Sequence, residues 1–296
     1  MRQSLEIKKA FSLIELSIVI LIIGIIVAGV TQGSRLVVQF RIINARSITQ
    51  SSPVASITGL IAWYETTSEK SFLEIETEDE LTISNWYDIN PQSTIKLDMP
   101  QSAAGNRPFY DTNAINSLPA LRFNGSNRYF EKAYNAALNP NNFTMFFVAK
   151  VASIADFGAL ISSRSGTFRG YVLYTNPASA TPATAFRVMS GDGSSWGTNI
   201  TPVSITIGKT YVLSVTYNGS SIITYSAGTN MGSSSDTILV NNANNTRIGA
   251  GYNEGAANYF YDGHIGEIII YDRLLKYEER NSIEKYLGKK WGVVVN

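Results

Sequence analysis

Hydrophobic and polar positions divide the chain into three stretches of different texture. Residues 11–30, FSLIELSIVILIIGIIVAGV, carry one charge, Glu15, and as a helix would span about 30 Å, the thickness of a bilayer core. Residues 31–52 continue at helical spacing, with Leu36, Val37, Phe40, Ile43 and Ile48 set among Arg35, Arg41 and Arg46. Pro53 marks a stop, because it pushes the residue before it out of the α region. From residue 55 the period shortens. Aromatic and β-branched runs alternate with Gly, Asn, Ser and Pro clusters, which predicts strands at Leu60–Tyr64, Thr82–Trp86, Ala120–Phe123, Phe143–Val151, Ala159–Ser162 and Tyr171–Tyr174. Further strands are predicted at Ala185–Met189, Tyr211–Tyr217, Ile222–Ser226, Thr246–Gly249 and Ile265–Tyr271, with Asn218-Gly219 as a tight turn. Only Tyr277–Lys290 reads as a helix in this part, with Ile283, Tyr286, Leu287 and Trp291 on one face. The pattern predicts a mainly β protein: a long N-terminal transmembrane helix, then an antiparallel β-sandwich or barrel, then a short C-terminal helix.

Composition removes several classes of chemistry. Cysteine is absent and there is one histidine, which excludes thiol nucleophiles, disulfides, zinc fingers and any multi-His metal site. The formal net charge of +1 supplies no basic field, so nucleic acid is not an expected partner.

The N-terminal segment is unusual for a plain anchor. Lys8 and Lys9 immediately precede it, which holds the N-terminus in the cytoplasm and sends the rest across. A secretory signal peptide has a shorter apolar region followed by a small-residue cleavage site; here the small residue, Ala10, comes first. A carboxylate inside the apolar zone costs a few kcal/mol, so Glu15 calls for a partner. The run Lys9-Ala10-Phe11-Ser12-Leu13-Ile14-Glu15-Leu16 closely resembles the type IV pilin class of signal sequence. The resemblance implies that a prepilin peptidase cuts between Ala10 and Phe11 and that Phe11 is then N-methylated. It also implies that Glu15 neutralises the freed amine of a neighbouring pilin subunit in a filament. Gly24 and Gly29 loosen the helix and allow close helix approach. The expected organisation is a leader at 1–10, a transmembrane and stalk helix at 11–53, and a head at 55–296.

Two passages suggest a fold for the head. Leu118-Pro-Ala-Leu-Arg-Phe-Asn-Gly-Ser126 and Gly263-His-Ile-Gly-Glu-Ile-Ile-Ile-Tyr-Asp-Arg-Leu-Leu275 resemble strands of laminin-G-like domains in the concanavalin A-like superfamily. Glu278-Glu-Arg280 through Tyr286-Leu287 to Lys290-Trp291-Gly292 resembles that family's closing helix. The resemblance implies a jelly-roll sandwich that binds carbohydrate or protein. Some relatives hold Ca²⁺ between loops; no regular calcium-loop pattern occurs here, so no metal site and no cofactor are assigned.

Catalytic signals are weak. Glu74, Glu76 and Glu78 alternate, and on a strand they would share a face about 6–7 Å apart per step, within the range of glycosidase carboxylates. The segment is strongly polar, which fits a solvated edge. Gly193-Ser-Ser-Trp-Gly197 fits G-x-S-x-G with Asp262 and His264 following, but a nucleophile elbow needs strand, turn and helix. Gly249-Ala-Gly-Tyr-Asn-Glu-Gly255 has the wrong spacing for a dinucleotide loop and reads as a turn. Loops that combine aromatics with amides suit sugars, which singles out Asp192, Trp196, Tyr252 and Asn253 as ligand-binding candidates. The expectation is a non-enzymatic, pilin-like subunit, minor or at the tip because the head is bulky. It would sit first in the inner membrane with its head in the periplasm, then in an extracellular filament, binding a glycan or host-surface protein. Two other readings stay open: a structural pseudopilin of a type II secretion or DNA-uptake apparatus, and a filament-borne glycoside hydrolase.

Overall fold

The computed structural model describes residues 13–176, 184–198, 203–253 and 255–296. The cleavage residues Ala10 and Phe11 lie outside the described residues. The chain divides into two compact units, residues 1–44 and 45–296. In the first, helix α1 begins at Leu13 and runs to Gln50. Its Leu13–Val30 stretch has a mean hydropathy of 2.9 and no buried residues, so by length and composition it can cross a membrane. Glu15 stands in its first turn. A helix that is apolar on all sides is stable in lipid, where every backbone group is satisfied within the segment.

The second unit is a sandwich of two antiparallel sheets. Across the first sheet the strands run Thr229–Ser235, Ser221–Ser226, Thr210–Tyr217, Phe143–Val151, Asp262–Tyr271, Leu118–Asn124 and Phe109–Ile115. Leu60–Glu65 pairs with the second half of Asp262–Tyr271. The second sheet runs Trp196–Thr198, Ala185–Asp192, Arg169–Asn176, Gly158–Ser165, Thr246–Ile248 and Phe130–Lys132. Sequence-adjacent strands are often distant in the sheets, as in a jelly roll. The predicted strand at Phe143–Val151 is found with those bounds. Most others are longer than predicted by one or a few residues, while Thr82–Trp86 shrinks to Asn85–Trp86. Phe109–Ile115 and Thr229–Ser235 were not predicted. Both are edge strands with polar, half-exposed faces, so neither carries a hydrophobic alternation to read.

The Phe143–Val151 strand explains the layering. Phe143, Met145, Phe147 and Ala149 point between the sheets, where they meet Leu160, Tyr171, Leu173, Phe186 and Val188 of the opposite sheet. Phe146 and Val148 point outward into a second core with Val212, Ile269 and Tyr271. A strand buried on both faces reads as an unbroken apolar run. Helix α2, Tyr277–Trp291, closes that second core through Ile283, Tyr286, Leu287 and Trp291. The last turn of α1 joins it at Ala45.

At the centre of this outer core lies a buried charge cluster. Glu65 and Glu267 stand directly opposite each other on paired strands, an arrangement that is destabilising unless a cation intervenes. Lys290 Nζ supplies it, 2.8 Å from Glu65 Oε2, 3.0 Å from Glu267 Oε2 and 2.8 Å from Thr49 Oγ1 of α1. All three charged side chains are fully buried. The indole Nε1 groups of Trp63 and Trp291 and the hydroxyl of Tyr286 donate to Glu267 at 2.7–2.8 Å. Trp291 reaches it because residue 266 is glycine; a Cβ there would sit 2.7 Å from the indole ring. Burial works to lower the Lys290 pKa, but Glu267 and Glu65 outweigh it and hold the ammonium above its ordinary value.

Removing one partner of such a cluster leaves uncompensated buried charge. Lys290→Met is expected to destabilise the chain by about 3–5 kcal/mol in denaturant unfolding. Glu65→Gln, which leaves one cation facing one carboxylate, is expected to cost less. A Lys290→Met protein with unchanged stability would remove the cluster from the account. The Lys290 contribution is present below about pH 10.4, the ordinary lysine pKa, and is lost as pH rises through the raised folded value.

Candidate functional site

The outward face of the second sheet carries a bay. Three adjacent strands set its floor in register: Ala159 pairs with Tyr174 in one row, and Ser162, Val172 and Met189 form the next. Ala159, Val172 and Tyr174 form a small apolar cluster there with Phe157 and Met189. The third row is Arg164, Gly170 and Gly191. Gly170 is at φ +89°, and a Cβ there would strike the Ser163 carbonyl, so the floor beside Arg164 is bare backbone.

A hairpin, Gly251–Asn253 with Ala256–Asn258, forms the wall. Arg247 fixes it from beneath. Its guanidinium donates to the carbonyls of Gly251 (3.2 Å), Ala256 (3.3 Å) and Gly255 (3.1 Å) and pairs with Glu131. The result is a cavity of about 200 Å³ lined by Phe157, Tyr174, Tyr252, Tyr259, Met189 and Arg164, with Ala159, Val172 and Gly251 completing it. Arg164 rests on the Trp196 ring, 4.4 Å from its centroid, and Trp196 packs against Phe168. Burial lowers the Arg164 pKa, opposed by the neighbouring phenols of Tyr259, Tyr252 and Tyr174.

The four ligand-binding candidates from the sequence separate here. Tyr252 lines the cavity and Trp196 stands behind its arginine. The backbone of Asn253 pairs with Ala256 in the wall. Asp192 is occupied with its own turn, where its carboxylate accepts from the Ser194 and Ser195 amides at 2.7 and 2.6 Å and from both hydroxyls. Those bonds hold its pKa well below the usual carboxylate range. Arg164, Tyr174 and Tyr259 were missed. Arg164 sits in a polar Ser-Ser-Arg-Ser run, and only strand register shows that it joins the aromatic side chains.

The catalytic signals dissolve on inspection. Glu74–Glu76 is a turn of 3₁₀ helix, not a strand, so the carboxylates have no common strand face. Glu76 accepts from the Ser84 amide, Asp79 from Thr112, and Glu80 pairs with Arg122. Residues 193–195 are the hairpin turn between Ala185–Asp192 and Trp196–Thr198, and 196–197 are in the second strand; Ser195 donates to Asp192. His264 belongs to the other sheet and pairs with Asp111, not Asp262. Gly251–Asn253 of the 249–255 run is the first strand of the wall hairpin. Among the described residues no cluster of three or more His, Asp or Glu is arranged to hold a metal ion.

A family model described as the concanavalin A-like lectin/glucanase superfamily matches residues 124–279. The chain belongs to that superfamily. The match covers the bay, its wall and most of both sheets, so the superfamily's sandwich is what positions Arg164 and the tyrosines. No curated protein sequence matches the chain significantly. Among solved structures, the Trypanosoma rangeli sialidase in complex with sialic acid superposes with a TM-score of 0.52 at 15% identity, over 79% of this chain and 34% of the sialidase. Domain 4 of AbnA, a GH43 extracellular arabinanase from Geobacillus stearothermophilus, in complex with arabinotriose, superposes with a TM-score of 0.52 at 13% identity, over 76% of this chain and 98% of that domain. The chain therefore spans about a third of the sialidase, and at these identities the likeness is one of fold.

His264 provides a pH readout of the head. Its Nε2 lies 2.9 Å from Asp111 Oδ2, and its Nδ1 is buried without a hydrogen-bond partner. A second proton would be a buried, unsatisfied donor. Burial accordingly lowers the His264 pKa; Asp111 opposes this, while Lys150 and Arg122 add to it. The unfolded chain then binds the proton more readily, so stability is expected to fall as pH drops below about 6.5. His264→Gln should flatten that slope in thermal unfolding between pH 7 and 5. An unchanged slope would show that His264 does not titrate between the two states.

Proposed function

We propose that this chain is a pilin-like filament subunit, minor or at the tip, whose concanavalin A-like head binds a glycan. The observation that carries the binding half is the bay: an apolar, aromatic-lined hollow with one cation on a rigid sheet. Sugar rings present C–H faces that stack on aromatic side chains, and hydroxyls that phenols and guanidinium groups can satisfy. The structural neighbours captured with sialic acid and with arabinotriose support a sugar over a peptide as the ligand. Glu74, Glu76 and Glu78 are spent on turns and solvent rather than gathered at the bay, which favours a binder over a hydrolase.

The anchoring half rests on the motif around Ala10, Phe11 and Glu15 together with the apolar helix from Leu13. A prepilin peptidase would cut after Ala10, and Phe11 would be methylated. In a bundle of such helices the Glu15 carboxylate would neutralise a neighbouring subunit's terminal amine, relieving the cost of a charge in lipid. The protein would then pass from the inner membrane, with its head in the periplasm, to an extracellular filament. A structural pseudopilin would share all of this but would have no need of a sugar-sized bay.

One preparation tests both halves. Intact mass of the full chain from cells with the peptidase should correspond to loss of residues 1–10 plus one methyl group. On a glycan array the same protein should bind a defined sugar set saturably. An uncut chain contradicts the filament reading, and silence across the array contradicts the glycan reading.

A further inference from the structure

Several arginines in the head are neutralised by a carboxylate or bonded to a carbonyl. Arg46, Arg122, Arg247, Arg273 and Arg280 each pair with a carboxylate. Arg107, Arg128 and Arg169 donate to backbone carbonyls. Arg164 differs. Among the described residues no carboxylate pairs with it; its side chain hydrogen-bonds the Tyr259 phenol, its Nε is buried without a hydrogen-bond partner, and it is the one charged residue among those lining the bay. A cation withdrawn from water without a counter-ion is costly, and this one is held in place by the Trp196 ring rather than left to swing into solvent.

We propose that the bay takes a sugar bearing a carboxylate, such as a hexuronic or sialic acid, with the carboxylate on Arg164. This rests on the glycan reading above and narrows it. The planar guanidinium fork matches a carboxylate in bidentate fashion. The phenols of Tyr174, Tyr252 and Tyr259, which lie close enough to act on the Arg164 charge, can donate to the same oxygens. Phe157, Val172 and Met189 offer the apolar surface for the ring itself. A volume of about 200 Å³ is below the roughly 300–1,000 Å³ of pockets for drug-sized ligands and suits one ring. The ligand is therefore a terminal acidic residue rather than the interior of a chain. A neutral sugar would occupy the same floor but leave the cation without its counter-ion.

The test uses full-length protein in detergent micelles and calorimetric titration with three oligosaccharides that differ only in the terminal residue. One ends in a hexuronic acid, one in the methyl ester of that acid, and one in the neutral hexose that reduction of its carboxyl gives. The acid is expected to bind roughly ten- to a hundredfold more tightly than either of the others, as a charge-assisted bond implies. Arg164→Gln should abolish that preference while leaving weak binding of the neutral form, and Arg164→Lys should keep part of it. Because the reduced sugar removes the charge from the ligand side, the comparison holds even if an Arg164 variant folds poorly. Equal binding of all three overturns the carboxylate assignment and leaves the glycan reading intact. Absence of binding by all of them overturns both.

Discussion

One ammonium group holds the outer half of the head together. Glu65 and Glu267 face each other across paired strands, and without Lys290 their repulsion would open the sheet at the point where it must carry α2. With Lys290 in place, four different parts of the chain meet on a few atoms: Thr49 of α1, Trp63 and Glu65 on one strand, Glu267 on another, and Tyr286 and Trp291 of α2. Buried ion clusters give little net stability over an apolar core but penalise every arrangement that separates their members. Here the penalised arrangement is one in which the last turn of α1 or the C-terminal helix leaves the sheet. The second compact unit accordingly includes the chain from Ala45 onward, and Arg46 adds a bond to the Thr67 carbonyl.

The opposite sheet uses its arginines for other ends. Arg247 is saturated by Glu131 and three carbonyls, and so acts as a bracket for the Gly251–Asn258 hairpin. On the neighbouring strand, Arg164 has no carboxylate partner among the described residues. A rigid floor, a braced wall and a cation whose partner must come from outside are the ingredients of pre-organised recognition, in which little ordering remains to be done on binding. The glycine at position 170, where a Cβ would strike the Ser163 carbonyl, serves the same end by keeping side chains off the floor.

Much of this was legible in the sequence. The Phe143–Val151 run read as a strand, and the Ile283, Tyr286, Leu287, Trp291 spacing as one face of a helix. The closing Lys290-Trp291-Gly292 was recognisable as a family signature, although its role as a charge lock was not, because Glu65 and Glu267 are some two hundred residues apart in sequence. The bay was half legible. Trp196 and Tyr252 stood out as aromatics in polar loops, whereas Arg164 looked like any surface charge until strand pairing set it beside Gly170 and under Trp196. Asp192 misled for a physical reason: an Asp-Gly-Ser-Ser loop is as well suited to capping itself as to holding a sugar. The polar edge strands escaped notice because edge positions do not need an apolar face.

Three of the four tryptophans, Trp63, Trp86 and Trp291, are buried at 4% exposure or less. Trp196 alone is partly exposed, against Arg164. Fluorescence of the full chain during titration with acid-terminated oligosaccharides therefore reports on the bay directly. The account predicts a saturable change that Trp196→Phe removes, while an unliganded Trp196→Phe chain keeps the emission of the three buried indoles. A titration without change, or one whose change survives in Trp196→Phe, would place any bound sugar somewhere other than this bay.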